Sequence, residues 1–181
     1  MLIFTPVSNA GRFRLVGPDV RAPITTWLKA SHAPLPPATI TLVVGEDPGY
    51  EPESRTVSIP KGGKLGWTVA DERLELFHEL GHAFDYTVMR PSGRNEFRKL
   101  AQTTCKWWDD CQVPNILCQC GEILDVPPGE MFAEEYAAYS LNMTRTQVDD
   151  SGVPTYGWTP PPFAEHAMRL LIAKLAHGLT S

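Results

Sequence analysis

From Asp71 to Met89 the chain carries apolar residues at Leu74, Phe77, Gly81, Phe84 and Val88, alternately three and four positions apart. That is the period of an α-helix with one apolar stripe, and such a stripe has to be buried against another layer. Asp71 is the expected N-cap, and Arg90-Pro91-Ser92-Gly93 is the expected stop. Upstream the period is different. Ala38 to Val44 is rich in β-branched residues and Arg55 to Ile59 alternates polar with apolar, so both read as strands. The turn-forming Gly45-Glu46-Asp47-Pro48-Gly49 between them makes an antiparallel pair the expectation. Leu65 to Val69 reads as a further short strand, and Pro23 to His32 as a short helix. Downstream, helices are expected over Asn95 to Cys105, Pro128 to Leu141 and Phe163 to His177. Strands precede helices, which predicts an α+β fold: a small, mostly antiparallel sheet packed on the 71–89 helix.

With 181 residues, 43% of them hydrophobic, the chain suits one domain over 1–181 with a real core. A net charge of -5, with sixteen Lys and Arg scattered along the chain, argues against nucleic acid or an anionic membrane as the main partner. No apolar run reaches the roughly 20 residues that cross a bilayer. The start, Met1-Leu2-Ile3-Phe4-Thr5-Pro6, lacks the basic and apolar regions of a secretory signal. Synthesis in the cytoplasm is therefore the expectation, with release or assembly into a larger particle such as a virion left open. Seventeen prolines cluster in connections, among them 153–162 before the last helix, which predicts rigid links.

Within the long helix, His78-Glu79-Leu80-Gly81-His82 matches the pattern H-E-x-x-H. Residues four apart on a helix lie one above the other, so two imidazoles there can grip one metal ion from the same face. Glu79, beside the first histidine, is placed to take a proton from a water at the metal rather than to bind the metal itself. A catalytic zinc site needs a third protein ligand and an open position. A histidine six residues after His82 is absent, since that position is Val88, so a later carboxylate is required. Glu130, in the first turn of the 128–141 helix, is the best candidate. Glu134 follows one turn later on the same face, at the spacing from which a carboxylate can orient a ligand imidazole from behind. Asp85, three residues after His82, could accept the far N–H of an imidazole or simply sit near the helix end. Phe132, Tyr136 and Tyr139 fall on another face, which suits the core.

The segments HELGHAFD and E-M-F-A-E-E-Y resemble the gluzincin metallopeptidases, closest to the group of the anthrax lethal factor protease domain and small bacterial and phage-encoded peptidases. The resemblance covers roughly residues 70–140 and is concentrated in those two motifs. It implies a zincin-like domain that hydrolyses peptide bonds, with Zn2+ held by His78, His82 and Glu130, with Glu79 as general base, and with Glu134 matching the acid that follows the ligand. The group also has a tyrosine seven residues before its ligand glutamate, which helps stabilise the oxyanion; here that position is Ile123. Tyr156 and His166 are the substitutes considered for that role. The implied partner is a peptide or protein substrate, extended along an edge strand above the histidine helix. A zinc amidase acting on peptidoglycan peptides shares the same metal logic. A zincin scaffold kept as a structural part of a phage tail or particle would not require Glu79.

Cys105, Cys111, Cys118 and Cys120 fall within sixteen residues, in the 106–128 insert and its approach. Their spacing is not that of a zinc ribbon, which wants C-x2-C pairs. Disulfides stapling the insert are favoured over a second, structural zinc site, with free buried thiols as the plain alternative. Trp107 and Trp108 in the same insert are expected to anchor it to the core or to line the cleft.

Overall fold

A computed structural model of the chain describes residues 2–4, 12–16, 24–45, 47–60, 67–107, 126–150, 157–161 and 163–178. They form a mixed α+β arrangement with one five-stranded sheet. Its strands are β1 (Leu2–Phe4), β2 (Arg12–Val16), β3 (Thr39–Gly45), β4 (Gly49–Glu51) and β5 (Thr56–Pro60), in the order β1-β2-β3-β5-β4. Phe13, Leu15, Ile40, Leu42, Val57 and Ile59 are buried, whereas their neighbours Arg14 and Val16 are exposed. One face is thus packed, as period-2 sequences dictate.

The sheet is not mostly antiparallel. β2 pairs with β3 and β3 with β5 in parallel, Leu15 opposite Leu42 and Leu42 opposite Val57. Only the outer pairs, β1–β2 and β4–β5, are antiparallel. The expected β3–β5 hairpin fails for a definite reason. The Gly45–Gly49 turn does reverse the chain, but the strand it delivers is the three-residue β4, which takes the edge beyond β5. A second turn at Pro52–Arg55, with Arg55 at φ 51°, reverses the chain again, so β5 returns parallel to β3. No strand forms at Trp67–Val69; Thr68 caps a helix there and Val69 begins it.

Six helices are described: α1 (Ile24–Lys29), α2 (Val69–Val88), α3 (Pro91–Ala101), α4 (Pro128–Leu141), α5 (Arg145–Asp150) and α6 (Ala164–Ala176). α2 starts earlier than expected. Thr68 is its N-cap and Asp71 is the third residue of a reciprocal capping box, each side chain bonding the other's backbone N–H. α3 starts at Pro91, where the missing N–H costs nothing, so the proline opens a helix as well as closing the one before. α4 occupies the expected span, and α5 was not expected at all. Among the described residues no helix is long and apolar enough to cross a membrane.

α2 packs against β5 and β4 on one side and most extensively against α4 on the other. Gly81 sets that second contact: a Cβ there would lie 2.7 Å from Ala133 Cα and 3.2 Å from Ala133 O. Beside it the rings of Phe84, Phe97, Phe132, Tyr136 and Trp107 form one cluster, for example Phe97 edge-on to Phe132 at 5.3 Å. Phe132 and Tyr136 are core residues, as expected, and Tyr136 Oη donates to Pro34 O at 2.7 Å. On the far side of α4, the fully buried Glu135 accepts from Arg169 of α6 at 3.0 Å. Burial pushes its carboxyl up to about 8 against the pull of that guanidinium.

Candidate metal centre

His78 and His82 stand one turn apart on α2, their rings 4.9 Å apart and nearly perpendicular. The close α2–α4 contact at Gly81 brings the first turn of α4 over them, and Glu130 in that turn points between the rings. Glu130 Oε2 lies 3.1 Å from His78 Nε2 and 3.3 Å from His82 Nε2, and the two Nε2 atoms are 3.2 Å apart. Three donor atoms therefore form a nearly equilateral triangle. Two N–H groups aimed at one carboxylate oxygen would also face each other, so the triangle is poorly satisfied by hydrogen bonds alone. It is a group that could hold a metal ion.

The electrostatics agree with a site that wants positive charge. Burial alone would raise the Glu130 carboxyl, but the bonds and charge of both imidazoles hold it far below its ordinary range. Burial would likewise depress His82, yet Glu130, Glu79 and Asp85 hold it up at about 9. A proton on His82 supplies positive charge in the metal-free group. Glu79 is 6% exposed and is pushed up to about 7, first by burial, while the two imidazoles pull it down.

All of these side chains line a cleft of about 580 Å³. α2 forms its floor, Pro48, Gly49 and Tyr50 of β4 and its turn form one wall, and Pro127, Gly129 and Glu130 at the start of α4 form the other. Trp67 and Leu74 lie toward the N-terminal end of α2, and Tyr86 lies toward the C-terminal end with its ring 5.6 Å from Tyr50.

The expected supporting acids, Asp85 and Glu134, both line the cleft. Asp85 reaches the cleft but does not accept an imidazole N–H. Its Oδ1 takes Arg94 Nε at 2.9 Å, and its Oδ2 takes Arg94 Nη2 at 3.2 Å and Trp107 Nε1 at 2.8 Å. It acts on His82 through charge only. Glu134, 3% exposed, is ion-paired to Arg145 Nη2 at 2.9 Å. Arg145, itself 1% exposed, also bonds Asp149 at 3.1 Å and Trp158 O at 3.2 Å.

Trp107 is buried and anchors the start of the insert, as expected. Cys105 is disulfide-bonded, which fits the stapled reading and not a thiolate ligand there. Cys111, Cys118 and Cys120, one of which is its partner, lie outside the described residues, as do Trp108, Ile123 and Tyr156. His166 is exposed on α6 and does not line the cleft. Sequence reasoning missed Tyr50, Tyr86 and Arg145. Tyr86 had a signal, four residues after His82 on the same helical face; Tyr50 lies in a strand too short to read, and Arg145 carries no motif.

Comparison with known protein families, with curated proteins and with solved structures finds no match to this chain.

Proposed function

We propose that the chain is a zinc-dependent metallopeptidase with a zincin-like fold, acting on an extended peptide. The observation that carries this reading is the donor triangle. In a tetrahedral zinc site with ligand distances of ~2.0–2.1 Å, neighbouring donors lie ~3.3 Å apart. The three edges here measure 3.1, 3.2 and 3.3 Å, one face of such a tetrahedron, and the triangle lines the cleft. Two imidazoles and one carboxylate also form a common catalytic zinc set, which leaves a position for substrate.

A zinc ion held there would act as a Lewis acid, polarising a carbonyl and acidifying a water. Glu79 lines the cleft beside His78 without belonging to the triangle, so its carboxylate is free to take that water's proton and return it to the departing amine. Among the described residues β4 is an edge strand, and its outer side can align an extended peptide by strand addition. Tyr50 lines the cleft and carries a hydroxyl suited to the developing oxyanion, a role for which Ile123 is unsuited.

Metal analysis of purified protein, paired with hydrolysis of a broad peptide panel, tests the reading. One zinc per chain is expected, with cleavage abolished by a chelator and restored by zinc. Glu130→Ala should lose most of the metal. A wild-type protein that binds no zinc, or binds it and cleaves neither peptides nor peptidoglycan cross-links, would overturn the proposal.

A further inference from the structure

The cleft runs along α2 and its two ends differ in character. Near the N-terminal end it is lined by Trp67, Leu74 and Glu75; at the other end stand Asp85 and the Tyr50–Tyr86 pair. Five carboxylates line it among the described residues: Glu75, Glu79, Asp85, Glu130 and Glu134. Two of them are paired with an arginine, and two more border the candidate metal position. Asp85 is clamped by Arg94 and Glu134 is paired with Arg145, the latter being the one Lys or Arg that lines the cleft among the described residues. Glu130 and Glu79 flank a site that would carry a dication. Glu75 is left over. It is half-buried, faces the cleft one turn before His78, and makes no hydrogen bond or ion pair among the described residues.

We infer that Glu75 selects the substrate: it recognises a Lys or Arg side chain near the scissile bond, so the natural substrates are basic peptides. This rests on the metallopeptidase reading above. A half-buried carboxylate without a partner is an attractive site for an opposite charge, more so than a fully solvated one. Trp67 and Leu74 at the same end complete a suitable surface, because an indole face and an apolar wall accept the aliphatic stem and the cation of such a side chain. The position follows from helix geometry. Glu75 precedes the midpoint of His78 and His82 by five residues, or ~7.5 Å along the axis. An extended peptide rises ~3.3 Å per residue, so the basic residue belongs about two positions from the bond that is cut.

The experiment is a positional-scanning peptide library cleaved by wild type, Glu75→Gln and Glu75→Lys. Wild type should prefer Lys or Arg over Glu about two positions from the cut, on one side, by about 10-fold in kcat/KM. Glu75→Gln should flatten that preference and Glu75→Lys should invert it, with little change at other positions. Binding of labelled Lys-containing and Glu-containing peptides to Glu79→Gln protein gives the same comparison without hydrolysis, with Glu75→Lys added on that background. A binding preference that inverts with Glu75→Lys but no cleavage by wild type would sink the peptidase reading while leaving the selector in place. Equal handling of Lys and Glu by wild type, or an unchanged profile in Glu75→Lys, would overturn the inference.

Discussion

Gly81→Ala tests whether the α2–α4 contact holds the metal centre together. In an ordinary helix this change is stabilising by roughly 1 kcal/mol, since alanine is the better helix former. Here the new Cβ would meet Ala133 Cα at 2.7 Å and Ala133 O and Tyr136 Cβ at 3.2 Å each. Backbone cannot rotate aside, so the helices must part by about 0.7 Å to bring 2.7 Å up to the 3.4 Å of ordinary contact. Overpacking of this kind costs ~1–3 kcal/mol, and backbone clashes belong at the upper end. Subtracting the propensity gain leaves about 2 kcal/mol of destabilisation, or a Tm lower by roughly 4–8 °C for a chain of this size. Glu130 rides on α4, so the same movement should stretch its 3.1 and 3.3 Å approaches to the imidazoles and weaken zinc binding. Calorimetry and a competitive zinc titration read the two effects. Two controls calibrate the series. At Gly129 an added Cβ meets nothing closer than Trp107 Nε1 at 4.0 Å, and at Gly93 it meets the flexible Leu175 Cδ2 at 3.1 Å. Gly129→Ala should be neutral or slightly stabilising and Gly93→Ala mildly destabilising. A Gly81→Ala protein with unchanged or raised Tm and undiminished zinc affinity would refute the reasoning.

Glu79→Gln should keep zinc and fold but lose about 10²–10⁴-fold in hydrolysis, because an amide cannot accept the water's proton; wild-type rates in that variant would remove Glu79 from the mechanism. Arg94→Ala leaves Asp85, 1% exposed, with only Trp107 as hydrogen-bond partner among the described residues, so a loss of about 3 kcal/mol is expected by denaturant titration. In metal-free protein His82 is raised from 6.5 to about 9, first against burial and then by Glu130. A raised pKa stabilises fully below the unfolded value and loses that effect as pH climbs through the folded one. Metal-free Tm should therefore fall between about pH 6.5 and 9, and the fall should shrink in His82→Gln. Cys105 predicts an intact mass lighter without reductant than with it, by the protons of the bonded thiols; equal masses would contradict the disulfide.

What was legible in the sequence was what is local. α2 declared itself through its stripe, α4 through Pro128 and its length, and the two imidazoles through four-residue spacing. Glu130 was legible because a ligand set needs a third member and few carboxylates open a helix. The sheet was misread where one feature has two outcomes: a turn reverses the chain whether the next strand is seven residues long or three. β1 and β2 were passed over because runs of three and five residues are too short to show a clear period. The partners of Asp85 were out of reach for another reason. Arg94 and Trp107 approach from α3 and from the insert, and no periodicity relates them to an acid on α2.

The parallel middle of the sheet has a kinetic consequence. β4 and β5 are joined by a tight turn and both touch α2, so this hairpin and helix can associate with little loop closure. Pairing β5 with β3 and β3 with β2 in parallel demands crossovers, and such non-local steps are slow. The donor triangle comes later still, because forty-eight positions of chain separate His82 from Glu130. Metal added during refolding should therefore leave the early phase unaltered and act chiefly by slowing unfolding, as expected for an interaction absent from the transition state.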